Sequence, residues 1–341
     1  MKRIIVTGGA GFIGSALIRE LFKFNAGRDF RLTVLDNFST GRSDRLFRFR
    51  GDEERFNLIP GTVTNPADWI KCGEAEEIYH LADIVGIDRV TKIPGQTAKT
   101  AILGADYAVK CAILSGAKLF YASTSMIYGP GSPDTEEDNH PAFGNHPIWA
   151  YAEAKAIGEH IAHQAERDHG LKAIIGRFFN VVGPEQGPRS GHVLGRFMDQ
   201  ALHGEPITVY APVIGIQRTF IHVRDAASAI CLLMDRVNKI PEEQRTINIT
   251  TGAEPIRIDD LAKKVNEAVG GESPITYIKK KGTDENTIIR RATGDRIYGI
   301  LGGDWKPETS IDNIIQSIAQ ERRQKELAGL AGIIPKAGEN K

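Results

Sequence analysis

The sequence predicts a doubly wound α/β protein, a parallel sheet with helices on both faces, joined to a smaller α/β lobe toward the C-terminal end. Three observations carry the prediction. Short β-branched and aromatic runs alternate with helical periodicity over most of the chain, the order that right-handed crossovers turn into parallel strands. Glycine is over-used, at 36 of 341 residues against a usual share of ~7%, and a dense group of glycines falls just after the first apolar run. The chain is 41% hydrophobic and 25% charged, as in an ordinary globular protein, and it is long enough for a substantial core.

Taken in order, Ile4, Ile5 and Val6 form a short run of the kind buried on both faces of a sheet. Phe12, Ile13, Ala16, Leu17, Leu21 and Phe24 then recur at helical spacing, and Asn25 and Gly27 end that helix. A second strand covers 32–35. Further strands are expected at 56–59, 77–81, 118–122, 173–178 and 246–249, with helices at 100–115 and 148–169 between them. From about Asn180 the texture changes to Gly-Pro loops, an amphipathic helix at 193–202 and scattered short elements, while 221–237 reads as another core helix. The expected organisation is a sheet domain over 1–179 with parts of 215–250, a second lobe over 180–214 and 251–320, and a loosely ordered polar tail over 321–341.

Charge and cysteine content exclude several classes. Lys+Arg and Asp+Glu number 43 each, so no basic excess marks a nucleic-acid or membrane-surface binder. Cys72, Cys111 and Cys231 lie far apart without ligand or disulfide spacing and read as reduced thiols of a cytoplasmic protein. Gly8 and Gly9 interrupt the first apolar run too early for a signal peptide, and no run is long enough to span a bilayer. No metal site is expected. His160, His163 and Glu166 fall on one helical stretch, but in a Lys/Glu/His-rich setting that reads as solvated. The mixed-sign cluster from Arg42 to Arg55 reads the same way.

Three constellations carry chemistry. The first, TGGAGFIG over 7–14, lies between strand and helix: Gly8 permits a tight turn, Gly11 lets backbone approach a pyrophosphate, and Gly14 lets helix pack on strand. The following helix N-terminus offers free N–H groups to phosphates. Asp36 closes the second strand, where a carboxylate accepts ribose hydroxyls and repels a 2′-phosphate, favouring NAD over NADP. The second is Tyr151 and Lys155, four apart and so on one helix face, where an ammonium and a positive nicotinamide ring favour phenolate over a phenol of pKa ~10. The third is Ser123, Thr124 and Ser125 at the carboxyl end of a buried strand, where ligands of this architecture bind. Thr124 is placed to bond a substrate hydroxyl and share its proton with Tyr151. The plainer alternatives are a structural glycine turn, a surface Tyr/Lys pair and hydroxyls that satisfy loop backbone.

With these motifs in hand, the chain resembles an extended short-chain dehydrogenase/reductase of the NAD-dependent nucleotide-sugar epimerase/dehydratase family, from Met1 to about Pro307. TGGAGFIG, LDNFSTG, YHLA, STSMIYG, YAEAK, RFFNVVGP and QRTFIHVRD occur in the family's order. The resemblance implies a catalytic set of Thr124, Tyr151 and Lys155. It implies NAD held by Gly8, Gly11, Phe12, Ile13 and Gly14, by Asp36, Asn37, Ser39, Thr40 and Gly41, and by Thr62, Val63, Leu81, Ala82, Asp83, Ser123 and Phe178 beside Tyr151 and Lys155. It implies a nucleotide-diphosphate sugar, expected to be a UDP-sugar, held by Ser125, Met126, Asn180, Val193, Leu194, Tyr210, Arg218 and Arg291. Guanidinium groups suit that task, since they fork onto phosphate oxygens. A homodimer packed through the helices around 101–115 and 148–169 is implied as well.

The departures from the family pattern steer the expected activity. Met126 stands where decarboxylating and dehydrating members carry Glu, Thr62 where an acid is usual, Asp83 where a small residue is usual and Ala101 where Asn is usual. Methionine cannot transfer a proton. The expectation is therefore a 4-epimerase working through a transient 4-keto sugar. The alternatives are a UDP-glucuronate decarboxylase or other 4-keto-forming lyase with a different acid, and an NAD-binding regulator without catalysis.

Overall fold

The computed structural model describes all residues except 130–133, 136–145, 188–192, 212–215, 272, 280–290 and 331–341. Seven strands, β1 (Lys2–Thr7), β2 (Phe30–Asp36), β3 (Phe56–Pro60), β4 (Glu77–His80), β5 (Lys118–Thr124), β6 (Ala173–Phe178) and β7 (Thr246–Ile249), form one sheet in the order β7-β6-β5-β4-β1-β2-β3. Every pairing is parallel, with Val6 opposite Val34 on one side and Tyr79 on the other. The doubly wound Rossmann-type fold expected from the alternation is the fold found. Strand order reverses at β1, so the β1 and β4 ends open the crevice where ligands of such sheets bind.

Among the described residues, ten helices surround the sheet and build the lobe: α1 (Phe12–Phe24), α2 (Pro66–Cys72), α3 (Ile87–Lys92), α4 (Pro94–Ser115), α5 (Trp149–His169), α6 (Val193–Leu202), α7 (Val223–Arg236), α8 (Ile258–Val269), α9 (Asp295–Leu301) and α10 (Ile311–Leu330). One face of the sheet is covered by α1 and α7, where Leu17, Ile18 and Leu21 meet Ile230, Leu233 and Met234 in one buried core. The other face is covered by α2, α4 and α5 through Trp69, Ala105, Ala108, Val109, Ala112, Ala162 and Ala165. Alanine dominates this second layer, so helix and sheet backbones approach closely. Gly158 on α5 is an extreme case: a Cβ there would lie 2.0 Å from the Tyr121 hydroxyl.

The lobe has its own core, built from Leu194, Phe197 and Met198 of α6, Leu261 and Val265 of α8, and Ile314 and Ile318 of α10. A parallel strand pair, Ile207–Ala211 with Ile275–Lys279, lies against it. Helix α7 and strand β7 return to the sheet domain between lobe segments, so the two units interleave along the chain. The tail expected from residue 321 begins inside α10, where Arg322 donates to the Gly195 carbonyl at 3.3 Å and pairs with Asp199. Residues 331–341 lie outside the described residues. No helix among the described residues is long and apolar enough to cross a membrane.

Candidate active site

The glycine turn after β1 is held by contacts that leave no room for side chains. Gly8 has φ of 71°, and a Cβ there would meet the Ala82 amide nitrogen at 2.8 Å. A Cβ on Gly14 would lie 2.2 Å from the Gly8 carbonyl oxygen, so α1 can start against the turn only with glycine at that position. Asp36, at the end of β2, accepts the Ala10 N–H at 2.9 Å through Oδ2 and the Phe38 N–H at 2.7 Å through Oδ1. Burial raises its carboxyl and the two N–H donors oppose the rise. A carboxylate has about four lone-pair sites, so each oxygen keeps capacity for a ribose hydroxyl. The turn, the free helix N-terminus and this carboxylate fit a dinucleotide.

On the other side of the crevice, β4 ends in His80, whose Nδ1 lies 2.9 Å from the Thr7 hydroxyl; that hydroxyl in turn accepts the Leu81 and Ala82 N–H groups, each at 3.2 Å. Burial, then the charge of Lys155, pushes the His80 imidazole down to about 3. The two chain segments that would flank a cofactor are thus tied to each other through β1 and β4.

At the end of β5, Thr124 accepts the Met126 N–H at 3.2 Å, and its hydroxyl lies beside Tyr151 from α5. Lys155 lies one turn on, its ammonium 5.9 Å from the Tyr151 ring centre. It donates to the Ala122 carbonyl at 2.8 Å and pairs with the Asp83 carboxylate at 2.7 Å. Thr124, Tyr151 and Lys155, scattered over 32 positions of sequence, therefore converge. The electrostatics differ from the simple expectation of a lysine that favours phenolate. Burial, and after it the Asp83 carboxylate, pushes the Tyr151 hydroxyl well above its ordinary value, with Thr124 acting the other way. The lysine's positive charge is already balanced by Asp83.

Beneath this set lies a buried polar network. Arg177 grips Glu159 with two bonds, Nε to Oε1 at 3.0 Å and Nη2 to Oε2 at 2.7 Å, and donates to the Tyr128 hydroxyl at 3.0 Å. Tyr128 donates to the Asn248 Oδ1 at 2.7 Å, and Ser123 bonds Glu159. Ser123, expected at the cofactor, is committed to this network, which fixes the end of β5 against α5.

The expected sugar-nucleotide residues fall on several elements. Asn180 donates to the Thr219 carbonyl at 2.8 Å, next to Arg218, whose Nη1 donates to the Gln217 carbonyl at 3.0 Å. Tyr210 carries the Arg196 guanidinium 4.5 Å from its ring centre. The Leu194 side chain is fully buried in the lobe core, which leaves its backbone for a ligand. Arg291 sits on a short strand paired with Asp134–Thr135, while its neighbour Arg290 and His192 lie outside the described residues.

Several residues that shape the site gave no sequence signal. Arg45, within the cluster read as solvated, is almost fully buried and donates to the Ala10 carbonyl at 3.1 Å and to the Glu185 carbonyl. Arg19 also pairs with Glu185 at 3.2 Å, so two arginines lock the loop after β6 to the glycine turn. Asp68 on α2 accepts the Thr62 N–H at 3.0 Å and thus brings a carboxylate to the position where Thr62 replaces the usual acid. Glu166, read as solvated with His160 and His163, is buried and paired with Arg245 at 2.9 Å, and His163 bonds Glu166 and Thr246, each at 3.1 Å. The partners of Arg45, Arg19 and Glu166 across the fold are tens of positions away, beyond the reach of any local pattern.

A family model described as the NAD dependent epimerase/dehydratase family matches residues 4–250. The chain belongs to that family. Among family members, it is 32% identical over 314 residues to UDP-glucuronic acid decarboxylase 6 of Arabidopsis thaliana, covering 91% of this chain and 85% of the relative. It is 31% identical over 283 residues to the UDP-N-acetyl-alpha-D-glucosaminuronate decarboxylase of Bacillus cytotoxicus, covering 81% and 83%. Among solved structures, the UDP-glucose 4-epimerase of Thermotoga maritima with UDP-glucose superposes with a TM-score of 0.81 at 26% identity, over 95% of this chain and 99% of that one. Family membership makes NAD the expected occupant of the glycine turn, and the geometry there fits it. The relatives span both decarboxylases and epimerases, so the reaction common to them is chemistry on a nucleotide sugar.

Proposed function

We propose that the protein is an NAD-dependent nucleotide-sugar 4-epimerase acting on a UDP-sugar through a transient 4-keto intermediate. The observation that carries this reading is the pairing of a complete Thr124, Tyr151 and Lys155 set with a methionine at position 126. NAD, when bound, supplies the acceptor and donor of the C4 hydride. Gly8, Gly11 and Gly14 leave space for its pyrophosphate, and Asp36 takes its adenosine ribose. Tyr151 removes the proton of the C4 hydroxyl, with Thr124 holding that hydroxyl in line, and returns the proton when the sugar is reduced from its other face. Asn180, Arg218 and Arg291 hold the diphosphate, so the intermediate stays bound while the sugar turns. The active unit is a homodimer through α4 and α5, which leave Leu114 and Ile157 exposed.

A second reading, decarboxylation of a nucleotide uronate, is favoured by the names of the curated relatives. Proton NMR of the protein with catalytic NAD+ and UDP-glucose, UDP-N-acetylglucosamine or UDP-glucuronate separates the two. The epimerase reading expects a C4 epimer without net reduced cofactor. A pentose product from UDP-glucuronate would establish the second reading, and no turnover of any nucleotide sugar would overturn both.

A further inference from the structure

Asp83 directly follows the Tyr79–Ala82 run at the end of β4, and its carboxylate pairs with the lysine of the catalytic set. The pair is 2.7 Å apart, and the Lys155 and Asp83 side chains are 3% and 2% exposed. The ammonium donates to the Ala122 carbonyl at 2.8 Å and is held by the charge of Asp83, which together pin Lys155 against the end of β5. The other Asp83 oxygen accepts its neighbour Ile84's N–H at 2.7 Å, so the carboxylate is itself held in place. A buried ion pair of this kind gains little stability over an apolar pair of the same shape, so its presence calls for another reason.

We propose that Asp83 is a charge-setting positioning residue of the catalytic set: it balances the Lys155 ammonium and so keeps Tyr151 protonated until positive charge arrives from a bound ligand. This inference rests on Tyr151 being the base of the proposed reaction. The effect of Asp83 on Tyr151 is electrostatic. An opposite charge within about 4–6 Å shifts a titrating group by roughly one to three units, and two opposite charges side by side nearly cancel at a third site. The other charged or titratable groups facing the pair do not replace the lost positive charge. From β4, His80 is buried and held neutral down to about 3. From β5 comes the buried Tyr121 phenol, whose ring lies 5.0 Å from the Lys155 ammonium. From α5, Glu159 is neutralised by Arg177 at 2.7 Å. A base that stays protonated at rest gains its charge only when a cationic nicotinamide ring is alongside, which confines proton removal to the oxidised holoenzyme.

The test is titration of Tyr151 in the full-length protein labelled with tyrosine carrying carbon-13 at Cζ, with Tyr151→Phe identifying its signal among the eight tyrosines. Wild-type protein without added cofactor should keep a protonated Tyr151 signal up to the alkaline limit of stability. Asp83→Asn, which removes the charge and keeps the shape, should bring the Tyr151 midpoint down by about one to three units. Asp83→Glu should restore the wild-type behaviour. The acid limb of the pH–rate profile of the NAD+-loaded enzyme should move in the same direction in Asp83→Asn. An unchanged Tyr151 midpoint in Asp83→Asn overturns the inference even where turnover is normal. Tyrosine titration needs no turnover, so failure of the epimerase reading leaves this readout intact and distinguishable.

Discussion

The tyrosine at position 151 concentrates the functional question in one hydroxyl group. It touches Thr124, lies one helical turn from Lys155 and sits in the field of Asp83. Tyr151→Phe removes the proton acceptor while leaving the glycine turn and Asp36 untouched. Turnover should fall by at least about a hundredfold, the lower end of what a positioned general base contributes, while NAD+ binding read by calorimetry stays near the wild-type value. Retained turnover would show that Tyr151 is not the base. Tyr151 and Lys155 were legible in the sequence because i and i+4 on a helix share a face, a local fact. Asp83 was legible only as an oddity next to the YHLA run, and its ion pair with Lys155 requires the sheet order that lays β4 beside β5.

Helix α5 carries both Tyr151 and Lys155, so its seating on the sheet sets their place relative to Thr124. That seating depends on small residues, with Ala152, Ala154, Gly158, Ala162 and Ala165 all buried. Gly158→Ala puts a methyl group where the Tyr121 hydroxyl now lies, 2.0 Å away, and both are pinned by neighbours. Either Tyr121 is displaced or α5 lifts from β5, and overpacking of this kind costs about 1–3 kcal/mol. Thermal unfolding should show the loss, and kcat should fall more than KM rises, because the helix that moves holds the reacting groups rather than the diphosphate. A variant of unchanged kcat would mean that Tyr121 yields and the catalytic set does not. Periodicity in the sequence places this helix correctly to within a residue. It does not show which helix face meets which strand, and that face decides why residue 158 is glycine.

At the scale of the molecule, burial of neutral imidazoles links stability to pH. His80 and His222 are held down to about 3 and about 4, in both cases by burial first and then by a neighbouring cation, Lys155 or Arg224. The unfolded chain takes up their protons near 6.5, where the native state does not. Stability therefore falls as pH drops below about 6.5, by up to ~1.4 kcal/mol per pH unit for each imidazole. Asp36, Asp83 and Asp225 are raised by burial and act with the opposite sign, but only nearer the carboxylate range. Urea unfolding at pH 7, 6 and 5 should give steadily lower midpoints, and His80→Gln should remove up to about half of that slope. Equal midpoints at pH 7 and pH 5 would show that these imidazoles are not held neutral.

By itself the sequence determined the strands, the glycine turn, the Asp36 carboxylate and the Tyr/Lys pair, because each rests on spacing within one strand, turn or helix; the family was legible as a resemblance, through several motifs in order along the chain. The physical reason is that backbone geometry fixes which residues share a face over a few positions. Only the tertiary structure decided the rest. The Asp83–Lys155 pair, the Arg177–Glu159–Ser123 network, the Arg19 and Arg45 hold on Glu185 and the Asp68 contact with Thr62 all join distant or differently folded segments. Charges that read as solvated in the sequence become buried when the fold supplies a partner, and that pairing is set by packing rather than by local pattern.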